Sequence, residues 1–272
     1  MTITKKEVNK NIVNDLIKLD LLDLILALGI MGLALILSFW QKLQLENQLI
    51  IATGRSILQL LVIGSILDVI FAIDNPLPVL IILAIMVTIA TIVARNRISK
   101  KITGLIPIVW VSIFVSTAFT LAYTMILIIQ PENWYDPQYI IPMTSMVLGN
   151  AMNSAALGGE RLASSINNNR LEIETHLSLS ATPKQAVESY RREAIRTSLI
   201  PTLNQMMVVG LVSLPGMFTG QVLGGSPPLE AASYQILILF MIALTNLITT
   251  ILVTEGVSRK FFNSSFQLTA NS

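Results

Sequence analysis

Polar side chains standing inside long apolar runs are the first residues in this chain whose types could do chemistry. An amide, hydroxyl or carboxyl in hydrocarbon is costly and ordinarily faces a cavity or a neighbouring helix. Asp68 is the single acid well inside such a run, and it reads either as a group near a helix end that reaches water or as a cation site. Asn150, Asn153 and Ser154 form a denser set with Asn204, Gln205, Ser213 and Gln221 further along. These groups suit the lining of a path for a polar cargo. They suit interhelical hydrogen bonding equally, because Gly149, Gly158 and Gly159 let helices approach closely there. Met143, Met146, Met152, Met206, Met207 and Met217 flank them, and their soft, flexible thioethers read as adaptable packing. At Leu214-Pro-Gly216, Pro215 deletes a backbone hydrogen bond and Gly216 adds freedom, so a helix there should kink or break. The break is either a packing feature or a hinge exposing carbonyls to a path. The chain has no Cys and one His, which excludes disulfides, thiolate metal sites and Cys nucleophiles and leaves too few ligands for a zinc centre.

The elements that must hold these groups are membrane helices. Mean hydropathy is +0.69, with 53% apolar and only 12% charged residues, far from the roughly 25% charge of a soluble domain. Runs of about 20 apolar residues place seven spans at roughly 22–40, 57–73, 77–94, 105–129, 139–163, 199–223 and 234–254. Gln59 and Asp68 interrupt the second, and Asp74-Asn-Pro76 ends it in a turn, so spans two and three read as a tight hairpin. The expected fold is an all-α polytopic membrane protein of about seven transmembrane helices, one domain over residues 1–272. The first twenty residues are too polar for a cleavable signal, and Gln41-Lys42 rather than a small-residue cleavage site follows the first span.

Fourteen of the eighteen Lys and Arg fall in one alternate set of loops. The intervening loops carry Asp74, Glu132, Asp136 and Glu230 and no basic residue. This asymmetry places the basic loops in the cytoplasm, the N-terminus outside and the C-terminus inside. The remaining four, Lys5, Lys6, Lys10 and Lys18, lie in an N-terminal tail balanced by Glu7, Asp15, Asp20 and Asp23. Val8, Ile12, Leu16 and Leu19 recur there at helical spacing, as in a helix lying on the bilayer surface.

The largest basic loop, residues 164–198, has a pattern of its own. Asn169 and Glu172 have capping-box spacing, and Glu172 and Glu174 suit the positive end of a helix dipole. A short helix should run to about Leu179 with Ile173 and Leu177 on one side. Thr182-Pro183 breaks it, and a second helix should start near Pro183. That helix sets Val187, Tyr190 and Ala194 on one face and Glu188, Arg191 and Arg192 on another. His176 reads as a surface residue.

The run Glu174-Thr-His-Leu-Ser-Leu-Ser-Ala-Thr-Pro-Lys-Gln-Ala186, followed by Ile200-Pro201, resembles the EAA-type cytoplasmic loop by which ABC-transporter permeases dock their ATPase subunits. Over a longer stretch, several segments resemble the FetB-type iron-export permease family, to which plant aluminium-tolerance permeases are similar. They are Arg55-x3-Gln59-Leu-x3-Gly64, Gly149-Asn-Ala-Met-Asn153, Pro201-Thr-Leu-Asn204, Val212-Ser-Leu-Pro-Gly-Met-Phe-Thr-Gly-Gln221 and Tyr234-Gln-Ile236. Two departures stand out. Ser180 occupies a place where the loop usually has Gly, the residue that takes positive φ freely, and Thr175-His176 replaces small residues.

The resemblance implies a plasma (inner) membrane permease working as a homodimer in the bilayer with two copies of a separate ATPase subunit. Glu174, Leu177, Ser180 and Ala181 would be its coupling residues. Asn150, Asn153, Asn204, Gln205, Pro215, Gly216 and Gln221 would line its path. No Gly-x4-Gly-Lys-Ser/Thr phosphate loop occurs in the sequence, so ATP and Mg would be handled by the partner chain and this chain would bind no cofactor. No bond chemistry and no nucleic-acid partner are expected. The implied cargo is iron or another metal species, moved outward; a nucleotide sugar is the alternative within the class. From another class, a secondary transporter would use Asp68 as its coupling acid, although no inverted repeat is evident. A membrane enzyme is disfavoured by the lack of clustered His, Cys or paired acids.

Overall fold

The computed structural model describes residues 20–71, 73, 75–99, 102–263 and 267–269. The expected N-terminal surface helix, Asp74 and Lys100-Lys101 lie outside them. Among the described residues the chain is all-α. In chain order the helices are α1 (Leu21–Trp40), α2 (Glu46–Phe71), α3 (Pro76–Ile98), α4 (Leu105–Tyr123), α5 (Pro137–Asn168), α6 (Arg170–Ser178), α7 (Pro183–Ala186), α8 (Glu188–Val208), α9 (Gly216–Leu223) and α10 (Pro228–Lys260). A π-helical turn, Thr124–Ile129, prolongs α4. Five elements are long and apolar enough to cross a membrane: α1, α2, α3, α4 with its π turn, and α10. This is a multi-pass membrane protein.

Two compact units make up the chain: residues up to Asp74 with Gly220–Ser226, and Asn75–Thr219 with Pro227–Ser272. In the first, α1 packs on α2, and Ser38 Oγ donates to Glu46 Oε1 at 2.8 Å across the connecting turn. Helix α2 starts eleven residues before the expected 57, because Glu46 in its first turn favours the helix dipole and the polar stretch that follows continues the helix. In the second unit α5 packs against α3, α4, α8 and α10, and α10 also packs against α4 and α8. Small residues set these approaches. A Cβ on Gly158 would lie 2.5 Å from Thr250 Cγ2 and one on Gly159 2.7 Å from Ile98, whereas Gly149 has open space around it.

Expected span five lies inside a longer helix, and expected span six is interrupted. Helix α5 covers 139–163 but also carries Asn150, Asn153, Glu160 and Arg161, and it is not among the five apolar elements. Span six is displaced. Helix α8 begins at Glu188, ends at Val208 and is followed by a non-helical stretch before α9 resumes at Gly216. The break therefore opens before Pro215 rather than at a mid-helix kink. Gly210 turns left-handed at φ +82°, its N–H donates to the Ser213 carbonyl at 2.9 Å, and Val212 N–H closes on the Val208 carbonyl at 2.9 Å. These local bonds satisfy the end of α8 where Pro215 has no N–H to offer.

Candidate functional site: the α6–α7 groove

The segment joining α5 to α8 is built by local capping. Helix α6 ends in a Schellman-type turn: Ser180 N–H donates to the Leu177 carbonyl and Ala181 N–H to the His176 carbonyl, each at 3.0 Å. Ser180 supplies the left-handed residue at φ +68°, so the turn that Gly usually makes is kept by a residue that bears its cost. Helix α7 then starts at Pro183 behind a capping box. Thr182 N–H donates to Gln185 Oε1 at 2.9 Å, and Gln185 N–H donates to Thr182 Oγ1 at 3.3 Å. The other expected capping box does not form. Asn169 turns its amide back to the Ser165 carbonyl of α5 at 2.8 Å and gives α6 no side-chain cap.

Glu174, Leu177, Ser180 and Ala181, the four expected coupling residues, line one open groove of about 810 Å³ together with Ser178, Thr182, Pro183, Gln267 and Leu268. Its floor is fixed from below. Ile173 is fully buried, and Leu177, Tyr190, Phe262 and Leu268 pack partly against the same core. Leu177 is thus half-buried in its own chain, while Leu179 and Leu171 are the exposed apolar side chains of this loop. Burial first, then a hydrogen bond to Glu172 and its charge, pushes the Tyr190 hydroxyl above its usual pKa. Glu172 also faces His176 at 3.8 Å.

One face assignment changes. Arg191 does not join a solvent face with Glu188 and Arg192; it turns inward to Glu255 of α10 at 3.1 Å, and Arg259 holds the same carboxylate at 2.9 Å. Glu188 and Arg192 do pair at the surface.

The residues expected to line a path have varied local surroundings. Asn150 folds its amide onto the Met146 carbonyl of its own helix at 2.8 Å. Asn153 is exposed, and its Oδ1 accepts from Arg97 of α3 at 2.9 Å. Asn204 is exposed and Gln205 half-buried. Pro215 is half-buried at the end of the break, Gly216 is exposed at the start of α9, and Gln221 belongs to the other compact unit. Asp68 is exposed on α2. Among the described residues no three His, Cys, Asp or Glu side chains gather as a metal site.

What gathers instead is a face of α10 that sequence reasoning passed over. Thr249 and Ser116 of α4 share a hydrogen bond at 2.5 Å, and one turn away Thr245 donates to Thr120 at 2.8 Å. On the neighbouring side Asn246 Nδ2 donates to Thr202 of α8 at 2.7 Å, and Ser198 donates to Thr250 at 3.2 Å. The signal was present as Thr245, Asn246, Thr249 and Thr250 at helical spacing inside an apolar run.

An all-α multi-pass membrane protein with a locally capped loop between two long helices is the class defined so far, and comparison with known proteins narrows it. The family model UPF0014, described as an uncharacterised protein family, matches residues 21–262, and the chain belongs to that family. It is 59% identical over 253 residues to the UPF0014 membrane protein slr1647 of Synechocystis, covering 93% of this chain and 98% of that one. It is 36% identical to the "Probable iron export permease protein FetB" of Escherichia coli, over 90% of this chain and 93% of the relative. Protein ALUMINUM SENSITIVE 3 of Arabidopsis thaliana is 35% identical, over 89% of this chain and 87% of the relative. No solved structure matches the chain.

Proposed function

We propose that this chain is the membrane-spanning permease subunit of an ABC transporter, that it pairs with a second copy of itself in the plasma (inner) membrane, and that it exports iron or another metal species. A separate ATPase subunit binds ATP and Mg and drives transport by docking on the α6–α7 groove. The observation that carries this reading is the groove itself: Glu174, Leu177, Ser180 and Ala181 form one surface on a rigidly capped turn. The resemblance to a relative named as an iron export permease supports the cargo class and direction. The whole chain acts as one permease domain, with residues 164–198 as its docking segment, and the polar residues of α5, α8 and the break before α9 serve the path.

In this reading α5 and α8 also cross the membrane. The 32 residues of α5 span about 48 Å at the helical rise, against a hydrocarbon core of about 30 Å, and the sixth crossing takes only the part of α8 beyond residue 198, continued by the break and α9. Seven crossings then leave the N-terminus outside and the groove and C-terminus in the cytoplasm, as the basic loops require. Because the chain has no Cys, single substitutions test this cleanly. Asn133→Cys and Ser226→Cys should label from outside intact cells and Asn168→Cys only after permeabilisation. Labelling of Asn168→Cys in intact cells overturns the orientation and the docking surface with it.

A further inference from the structure

We infer that the C-terminal residues Phe262, Asn263, Gln267 and Leu268 form the second wall of the ATPase docking site, a deepening that rests on the docking reading above. After α10, residues 261–263 pair with 267–269. Asn263 N–H donates to the Gln267 carbonyl at 3.0 Å, Gln267 N–H donates to Asn263 Oδ1 at 2.9 Å, and Thr269 N–H donates to the Phe261 carbonyl at 2.9 Å. Arg170, the first residue of α6, holds the Thr269 carbonyl through its guanidinium. Phe261 is fully buried, and Phe262 and Leu268 pack on the core beneath α6. The described residues 261–263 and 267–269 are therefore fastened to each other and to the start of α6.

This fastening completes two adjoining grooves. Gln267 and Leu268 line the 810 Å³ groove with the α6–α7 turn. Phe262 and Asn263 line a second, of about 350 Å³, with Lys184, Glu255 and Arg259; Thr182 and Pro183 border both. A partner seated on the turn must meet the tail on either side of it.

Charge says what kind of partner fits. Of the acids in this loop, Glu172 faces His176, Glu188 pairs with Arg192, and Glu193, which accepts from Thr197 Oγ1 at 3.3 Å, does not line the groove. Glu174 is exposed, and among the described residues its carboxylate has no cation. An uncompensated carboxylate at the rim of a groove walled by Leu177 and Leu268 calls for a protein surface presenting an apolar side chain beside a Lys or Arg. An ABC ATPase subunit with that surface is the occupant we assign.

The test places a benzoylphenylalanine photocrosslinker singly at Ser178, at Gln267 and, as a control, at Asn168, all exposed positions, in the full chain coexpressed with an ABC ATPase subunit. Adducts containing ATPase peptides at both Ser178 and Gln267, but not at Asn168, are expected. Gln267→Trp, which fills the groove without touching the core, should weaken the ATPase about fivefold or more. An adduct at Ser178 alone, with Gln267→Trp binding normally, overturns the role of the tail and leaves the docking reading standing. Absence of ATPase adducts at both positions overturns the docking reading itself.

Discussion

Small polar side chains serve opposite ends in α10 and in the α6–α7 turn. Along α10, Thr245, Asn246, Thr249 and Thr250 are buried and hydrogen-bonded to Ser and Thr on α4 and α8. Except for Asn246 Oδ1, which is buried without a partner, their polar groups are satisfied by neighbouring helices, as a chain surrounded by hydrocarbon favours. In the turn, Thr182 and Gln185 cap each other, Ser180 N–H bonds the Leu177 carbonyl and Ser178 Oγ donates to the Glu174 carbonyl, which leaves the Glu174 carboxylate over a groove. The first arrangement holds helices together. The second holds a surface rigid without using up its recognition groups.

Breaking the interior should have the largest effect. Gly158→Leu forces atoms into the α5–α10 contact, where even a Cβ meets Thr250 at 2.5 Å. Overpacking of this kind costs about 1–3 kcal/mol or more, read as a lower melting temperature and loss of monodispersity in detergent. Ser178→Leu, the same enlargement at the groove, should leave both unchanged. Equal stability of the two variants would erase the distinction between the regions.

A milder change tests the polar contacts alone. Asn246→Leu removes the donor to Thr202 and should cost about 1 kcal/mol, the scale of interhelical hydrogen bonds in membranes. Thermal unfolding indistinguishable from wild type would mean that this bond contributes nothing to cohesion.

The smallest effect is a gain. Ser180→Gly keeps the left-handed turn at φ +68° and relieves a steric cost of about 1–2 kcal/mol, offset by roughly 0.5–1 kcal/mol of added chain entropy. A net stabilisation of about 0.5–1 kcal/mol should appear in the melting temperature. A loss instead would show that the Ser180 side chain contributes a contact the turn needs.

Local signals in the sequence carried most of what was legible. The bounds of α1, α3 and α4 follow from uninterrupted apolar runs, and Asn75 caps α3 just ahead of Pro76, accepting from Leu77 N–H at 2.9 Å. Thr182-Pro183 announced α7 because a capping box and a proline at the first helical position act within four residues. Residues whose partners are far along the chain were not legible. Asn169 spends its amide on α5 rather than α6, Arg191 turns to Glu255, and the tail at Gln267 and Leu268 joins the groove only through folding. Span six was misplaced because Met207, Leu211 and Leu214 keep its hydropathy high across a break made by Gly210 and Pro215, and averaging over a window of apolar residues does not register backbone hydrogen bonding.

The central claim, that the α6–α7 groove is the docking surface for an ABC ATPase, is tested most directly by measuring the affinity of the purified chain for a coexpressed ATPase subunit. Leu177→Asp should weaken binding by about 2 kcal/mol, roughly thirtyfold, and abolish coupled transport while the protein still inserts. Because Leu177 also touches the core, Glu174→Lys is measured beside it: Glu174 is exposed and has no cation among the described residues, so reversal of its charge leaves the fold intact and should also weaken binding. Wild-type affinity in both variants would contradict the account.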